Sequence, residues 1–126
     1  MNYVVDTHYL VWYIVGRLPK KIDNLFKQVE QGQSTVFVPT IVLAEILYLI
    51  KNHKIILNYS DLIRKIEISD NIVPIPLDIS ILKLLPEIDL SEIHDQIVVA
   101  TAKLVNAKLI TKDREIIESN IIECIS

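Results

Sequence analysis

Four acids interrupt stretches that otherwise read as core: Asp6, Glu45, Asp95 and Asp113. Asp6 closes the run Tyr3-Val4-Val5, and Glu45 is the only charge between Val36 and Ile50. Asp95 opens onto Gln96-Ile97-Val98-Val99-Ala100, and Asp113 follows Leu109-Ile110-Thr111. A carboxylate in apolar surroundings is costly unless something pairs with it. If the four converge, each pair at ~5 Å and an effective dielectric of ~20 repels by roughly 3 kcal/mol. Such a cluster requires protonation, a cationic side chain or a bound metal ion. Bound metal is the leading reading, because an all-carboxylate set suits a hard cation such as Mg2+ or Mn2+, whereas Zn2+ would want His or Cys. No side-chain nucleophile accompanies the acids. The chemistry left to such a site is metal-activated water together with charge neutralisation of a phosphate, the logic of metal-dependent nucleases.

Taken singly, three of the acids have structural uses. Asp6 and Asp113 stand at strand ends, where Asp serves in turns and as a helix N-cap. Asp95 could complement a helix dipole from the first turn. Glu45 could pair with a buried Lys or Arg, but its helix offers no partner before Lys51. Helical phase separates Asp95 from its neighbour Glu92. Asp95 falls on the inward stripe with Val98, Val99 and Ala102, while Glu92, Gln96 and Lys103 share a solvent stripe. Asp89 and Glu92 also have capping-box spacing, which gives Glu92 a structural task and leaves Asp95 as the functional candidate.

The elements that must carry these residues follow from the apolar pattern. Short Val- and Ile-rich runs alternate with longer helical patterns, which indicates βα units and a parallel sheet covered on both faces. Strands are expected at Asn2–Asp6, Thr35–Val38, Ile72–Ile75, Lys108–Thr111 and Ile121–Ile125. Helices are expected at Thr7–Val15, Lys20–Gln31, Ile41–His53, Ser60–Ile68, Ile79–Leu85, Ser91–Asn106 and Arg114–Ser119, with Thr40 as an N-cap. In an open parallel sheet, functional groups gather outside the carboxyl ends of the strands, so Asp6 and Asp113 belong to one edge. The helix carrying Glu45 has almost no polar face, so Glu45 must point to buried space or a cleft. No linker or repeat interrupts the pattern, and a single domain over residues 1–126 is expected.

Composition narrows the function classes. The chain has 126 residues, 51% hydrophobic and 23% charged, the profile of a soluble globular protein. Its net charge of -3 gives no global attraction for nucleic acid, so any such contact needs a local basic patch. Cys124 is the only cysteine and cannot form an internal disulfide, which fits a reducing cytoplasm. The apolar window from Val36 to Ile50 is broken by Pro39 and Glu45 and is too short to span a bilayer, so no membrane partner is expected. The only glycines, Gly16 and Gly32, are far apart, which excludes G-x-G-x-x-G and P-loop phosphate cradles. No G-x-S-x-G elbow is present either.

The sequence resembles the PIN-domain family, in particular its VapC-like branch of type II toxin–antitoxin toxins. The resemblance rests on Asp6-Thr7-His8, the apolar helix with Glu45, the block from His94-Asp95-Gln96 through Ala102, and Leu109-Ile110-Thr111-Lys112-Asp113-Arg114. It implies a three-layer α/β/α sandwich around a mainly parallel sheet of four to five strands. It also implies an Mg2+- or Mn2+-dependent endoribonuclease, an RNA substrate, a cognate protein antitoxin and a homodimer. Asp6, Glu45, Asp95 and Asp113 match the family's acidic quartet, as catalytic and metal-holding residues. Thr7 and Thr111 match its hydroxyl positions, which would orient carboxylates or metal-bound water. Lys112 and Arg114 flank Asp113 and are the candidates for RNA phosphate contacts. This branch usually has Arg after the third acid, where this chain has Gln96, and often Gly where this chain has Asn106-Ala107; Asn can adopt the left-handed cap. His8 and His94 are assigned to orientation or capping, and Trp12 and Tyr13 to core or dimer contacts. Two rivals are weaker. Aspartyl-phosphate proteins need a second acid that neither His8 nor the residues beside Asp6 supply. A degenerate PIN-like RNA-binding or scaffolding module should have lost at least one of the four acids.

Overall fold

The computed structural model describes residues 1–126. Five strands, β1 (Asn2–Val5), β2 (Thr35–Pro39), β3 (Ile72–Ile75), β4 (Lys108–Ile110) and β5 (Cys124–Ile125), form one sheet in the order β3-β2-β1-β4-β5. Every pairing is parallel. Parallel strands need crossovers, and seven helices supply them: α1 (Thr7–Val15), α2 (Lys20–Glu30), α3 (Thr40–Lys51), α4 (Tyr59–Ile68), α5 (Ile79–Leu82), α6 (Ile93–Leu104) and α7 (Arg114–Ser119). The result is the α/β/α sandwich expected from the sequence. Val4, Val5, Val36, Val38, Leu109 and Ile110 are each 0% exposed, which is why the central strands read as continuous apolar runs. Pro74 lies within β3, tolerated because β3 is an edge strand. No helix is long and apolar enough to cross a membrane.

The sheet order determines where a site can form. From β1 the chain builds outward through β2 and β3, then returns to lay β4 on the other side of β1. The boundary between β1 and β4 is therefore a topological switch point, where crossovers diverge and leave a crevice outside the carboxyl ends. The Asp6 amide donates to the Ile110 carbonyl at 2.9 Å, so the ends of β1 and β4 are stitched together at that crevice.

Three local expectations require correction. Thr40 is the first helical residue of α3 rather than its N-cap; Pro39 takes that position without a side-chain cap, and Thr40 Oγ1 accepts from the Leu77 amide at 3.3 Å. α6 begins at Ile93 with Glu92 as its N-cap and no capping side chain, so the Asp89–Glu92 capping box does not form. β5 pairs only through Cys124 and Ile125, shorter than the apolar run from Ile121. At the other end of α6, Asn106 adopts φ 53°, the left-handed position otherwise suited to glycine.

Candidate active site

All four acids line one cleft of ≈ 300 Å³ that has no hydrophobic residue in its wall. Each arrives from a different element. Asp6 lies between β1 and α1, as N-cap of α1, its Oδ1 accepting from the Thr7 amide at 2.8 Å. Asp113 follows β4 and caps α7, its Oδ1 accepting from the Ile116 amide at 3.0 Å. Asp95 sits in the first turn of α6, whose inward face holds Val98, Val99 and Ala102 as the helical phase predicts. Glu45 sits mid-helix on α3, which packs on α1, α6 and β2. Capping and site membership thus coincide for Asp6 and Asp113.

The two predicted hydroxyls are where the acids need them. Thr111, 0% exposed, donates to Asp6 Oδ2 at 2.8 Å, and its Oγ1 accepts from the Asp113 amide at 3.1 Å. One buried hydroxyl therefore fixes the first acid against the fourth. Thr7 Oγ1 donates to Glu45 Oε2 at 2.7 Å, tying α1 to α3. His94 is the neighbour that spacing could not reveal. Its Nε2 stands 3.3 Å from Asp6 Oδ1 and 3.1 Å from Glu45 Oε2, a partner for two of the acids that is cationic when protonated.

The electrostatics divide the acids. Burial pushes Asp6 up, but hydrogen bonds from His94, the Thr7 amide and Thr111 outweigh it, and its carboxyl lies below the usual value. Burial pushes His94 down, and the bond to Asp6 with the charges of Glu45 and Asp6 reverses this to a net rise. Asp95 moves the other way. Burial, then the charges of Asp113 and Asp6, raise it from 3.8 to about 6, with only part offset by His94. Asp95 is 6% exposed and its carboxylate accepts no hydrogen bond.

The carboxylate oxygens differ in how far the protein already engages them. Both oxygens of Asp95, Oδ2 of Asp113 and Oε1 of Glu45 have no internal donor, whereas both oxygens of Asp6 and Glu45 Oε2 do. The set is all oxygen and carries more negative charge than His94 balances, which fits a hard divalent ion. It is not a finished cage: no three His, Cys, Asp or Glu side chains present their atoms ready to hold a metal. The four acids thus share one cleft, while their side chains are not arranged around a common point.

The flanking cations differ from each other. Lys112 lines the acidic cleft with its Nζ 4.6 Å above the Trp12 ring. Arg114 faces an adjoining depression shared with Lys112, Tyr9 and Ser126, and its guanidinium meets Glu118 at 3.3 Å. Trp12 therefore holds a cleft lysine, while Tyr13 stacks on Phe26 at 4.3 Å, as the core assignment expects. Glu92, assigned to solvent from helical phase, lines the cleft as well. Helical phase says little about an N-cap residue, whose backbone is extended, here φ -111° and ψ 138°.

The PIN domain family profile matches residues 3–120. No curated protein sequence matches the chain. Among solved structures, VapBC2 from Rickettsia felis, bound to a DNA fragment from its promoter, is similar at TM-score 0.73 and 18% identity, over 99% of this chain and 98% of that one. VapBC-1 from nontypeable Haemophilus influenzae gives TM-score 0.69 and 22% identity, over 100% of this chain and 98% of that one. A toxin–antitoxin complex from Klebsiella pneumoniae gives TM-score 0.61 and 20% identity, over 98% of this chain and 96% of that one. At these identities the structural likeness speaks for the fold.

Proposed function

The chain belongs to the PIN domain family, and from that premise we propose that it is a divalent-cation-dependent endoribonuclease, the toxin of a type II toxin–antitoxin pair. The observation that carries the reading is Asp95: only 6% exposed, its carboxylate meets the cleft without an internal hydrogen-bond donor and is raised to about 6 among further acids in a wholly polar cleft. A fold does not keep such a group for stability, and perturbed acids in clefts mark functional sites.

Asp6, Glu45, Asp95 and Asp113 would hold Mg2+ or Mn2+. When bound, the cation lowers the pKa of water and neutralises charge on a phosphate. The chain's own residues do the rest. Thr111 and Thr7 keep Asp6 and Glu45 from turning away, so the carboxylates need little reorganisation. Lys112, steadied on Trp12, offers its ammonium to a phosphate at the cleft mouth, and Arg114 extends that track along the adjoining depression. The local basic pair offsets the unfavourable net charge of -3 where the RNA strand would lie.

Full coverage by toxin–antitoxin complexes supports a cognate antitoxin as the protein partner. The same reading carries a homodimer acting in the cytoplasm. The test is cleavage of a structured RNA by protein purified free of inhibitor. Activity is expected with Mg2+ or Mn2+, none in EDTA, and a loss of most of the rate in Asp6→Asn. RNA binding without cleavage under every cation condition would favour the degenerate RNA-binding module instead.

A further inference from the structure

His94 occupies the junction between two of the acids. A single nitrogen, Nε2, serves Asp6 Oδ1 at 3.3 Å and Glu45 Oε2 at 3.1 Å, bridging the end of β1 to α3. Both oxygens have a second donor, and in both cases it is Thr7: the amide to Asp6 at 2.8 Å and the hydroxyl to Glu45 at 2.7 Å. Thr7 therefore keeps the two oxygens facing each other whether or not the imidazole is there. The imidazole has no such backing. Its ring makes no other hydrogen bond, and the side chain is 21% exposed, with the cleft open beside it.

We infer that His94 is a displaceable occupant of the cation site: the imidazole stands between Asp6 and Glu45 until a divalent ion takes those carboxylates from it. The inference rests on the reading of the cleft as a cation site. An N–H donor and a hard cation compete for the same oxygens, so an ion held through Asp6 Oδ1 and Glu45 Oε2 must displace the His94 ring. A hard ion also prefers carboxylate oxygen to imidazole nitrogen, which assigns the ring to the competitor's role rather than to the ligand set. Without the ion, the His94 ring stands between the two acids that Thr7 keeps facing each other. With it, the ring gives up both contacts.

Calorimetric titration of Mn2+ into the metal-free full chain tests this without reference to RNA cleavage. His94→Ala should bind Mn2+ on the order of tenfold more tightly than wild type, because the wild type must break a charge-assisted hydrogen bond of that worth before the ion can bind. His94→Gln keeps an N–H donor of similar reach and should stay near wild type. Unchanged affinity in His94→Ala overturns the proposal, and weaker affinity overturns it by making the ring a ligand. Absence of Mn2+ binding in every protein, wild type included, removes the cation-site reading itself. A second measurement holds even if His94→Ala does not fold. In the wild type, the His94 imidazole 1H–15N correlations should move during a Mg2+ titration, in step with saturation. Resonances that stay fixed while Mg2+ binds would overturn the proposal.

Discussion

Replacing Asp95 with Asn should stabilise the metal-free protein. The carboxyl is raised from 3.8 to about 6, first by burial and then by the charges of Asp113 and Asp6. A rise of that size is worth ~3 kcal/mol at about 1.4 kcal/mol per unit. The cleft admits water and counter-ions, so screening reduces the expected gain to ~1–2 kcal/mol. For a chain of this length that is a melting shift of roughly 3–10 °C. The sign with pH is set by the direction of the shift. The folded value lies above the unfolded one, so the protonated group's contribution is complete below 3.8 and is lost as pH rises through about 6. Asp95→Asn should therefore melt above wild type in EDTA at pH 8, with the margin closing as the pH approaches 4. Circular-dichroism melts of both proteins across that range measure it. A mutant no more stable than wild type at pH 8, or a margin unchanged in acid, would refute the claim that mutual repulsion and burial strain this site.

Mg2+ or Mn2+ should raise the wild-type melting temperature, by ~2.7 kcal/mol of stability at a hundredfold excess over Kd, and should do less for Asp95→Asn; identical responses would remove Asp95 from the site. Thr111→Val should cost ~2 kcal/mol in denaturant titration, because it leaves Asp6 Oδ2 and the Asp113 amide without their buried partner, whereas Thr111→Ser should restore most of it. Lys112→Ala and Arg114→Ala should each weaken RNA binding in EDTA and flatten its salt dependence by ~0.7–0.9 in log–log slope; an unchanged slope would take that residue off the phosphate track.

Much of this molecule can be read from the chain because several levels of pattern agree. Thr7–Val15, Ile72–Ile75 and Arg114–Ser119 fall at the expected residues, because Asp6 and Gly16 bound the first, a short Ile- and Val-rich run marks the second, and Asp113 and Asn120 bound the third. The four acids are identifiable because a charge in a buried run needs a reason, and the sheet's edge rule places two of them together. Other features depend on neighbours that spacing does not encode. His94 and Asp6 are 88 residues apart in sequence, and only the packing of α6, part of the β3-to-β4 crossover, against β1 brings them together. The apolar run from Ile121 looks like a full strand, but β4 is three residues long and offers partners for only two. Glu92 and Thr40 depart from expectation for one shared reason: a helix end that starts one or two residues away from its expected position reassigns its cap.

The central claim is that this cleft hydrolyses RNA with water rather than with the RNA's own 2′-hydroxyl. Cleavage of a structured RNA in 18O-labelled water with Mg2+, under single-turnover conditions, tests it most directly when the new ends are read by mass spectrometry. The account predicts a linear phosphomonoester that carries one 18O atom, with no 2′,3′-cyclic phosphate and no product in EDTA. A cyclic phosphate end, or cleavage that persists in EDTA, would contradict it.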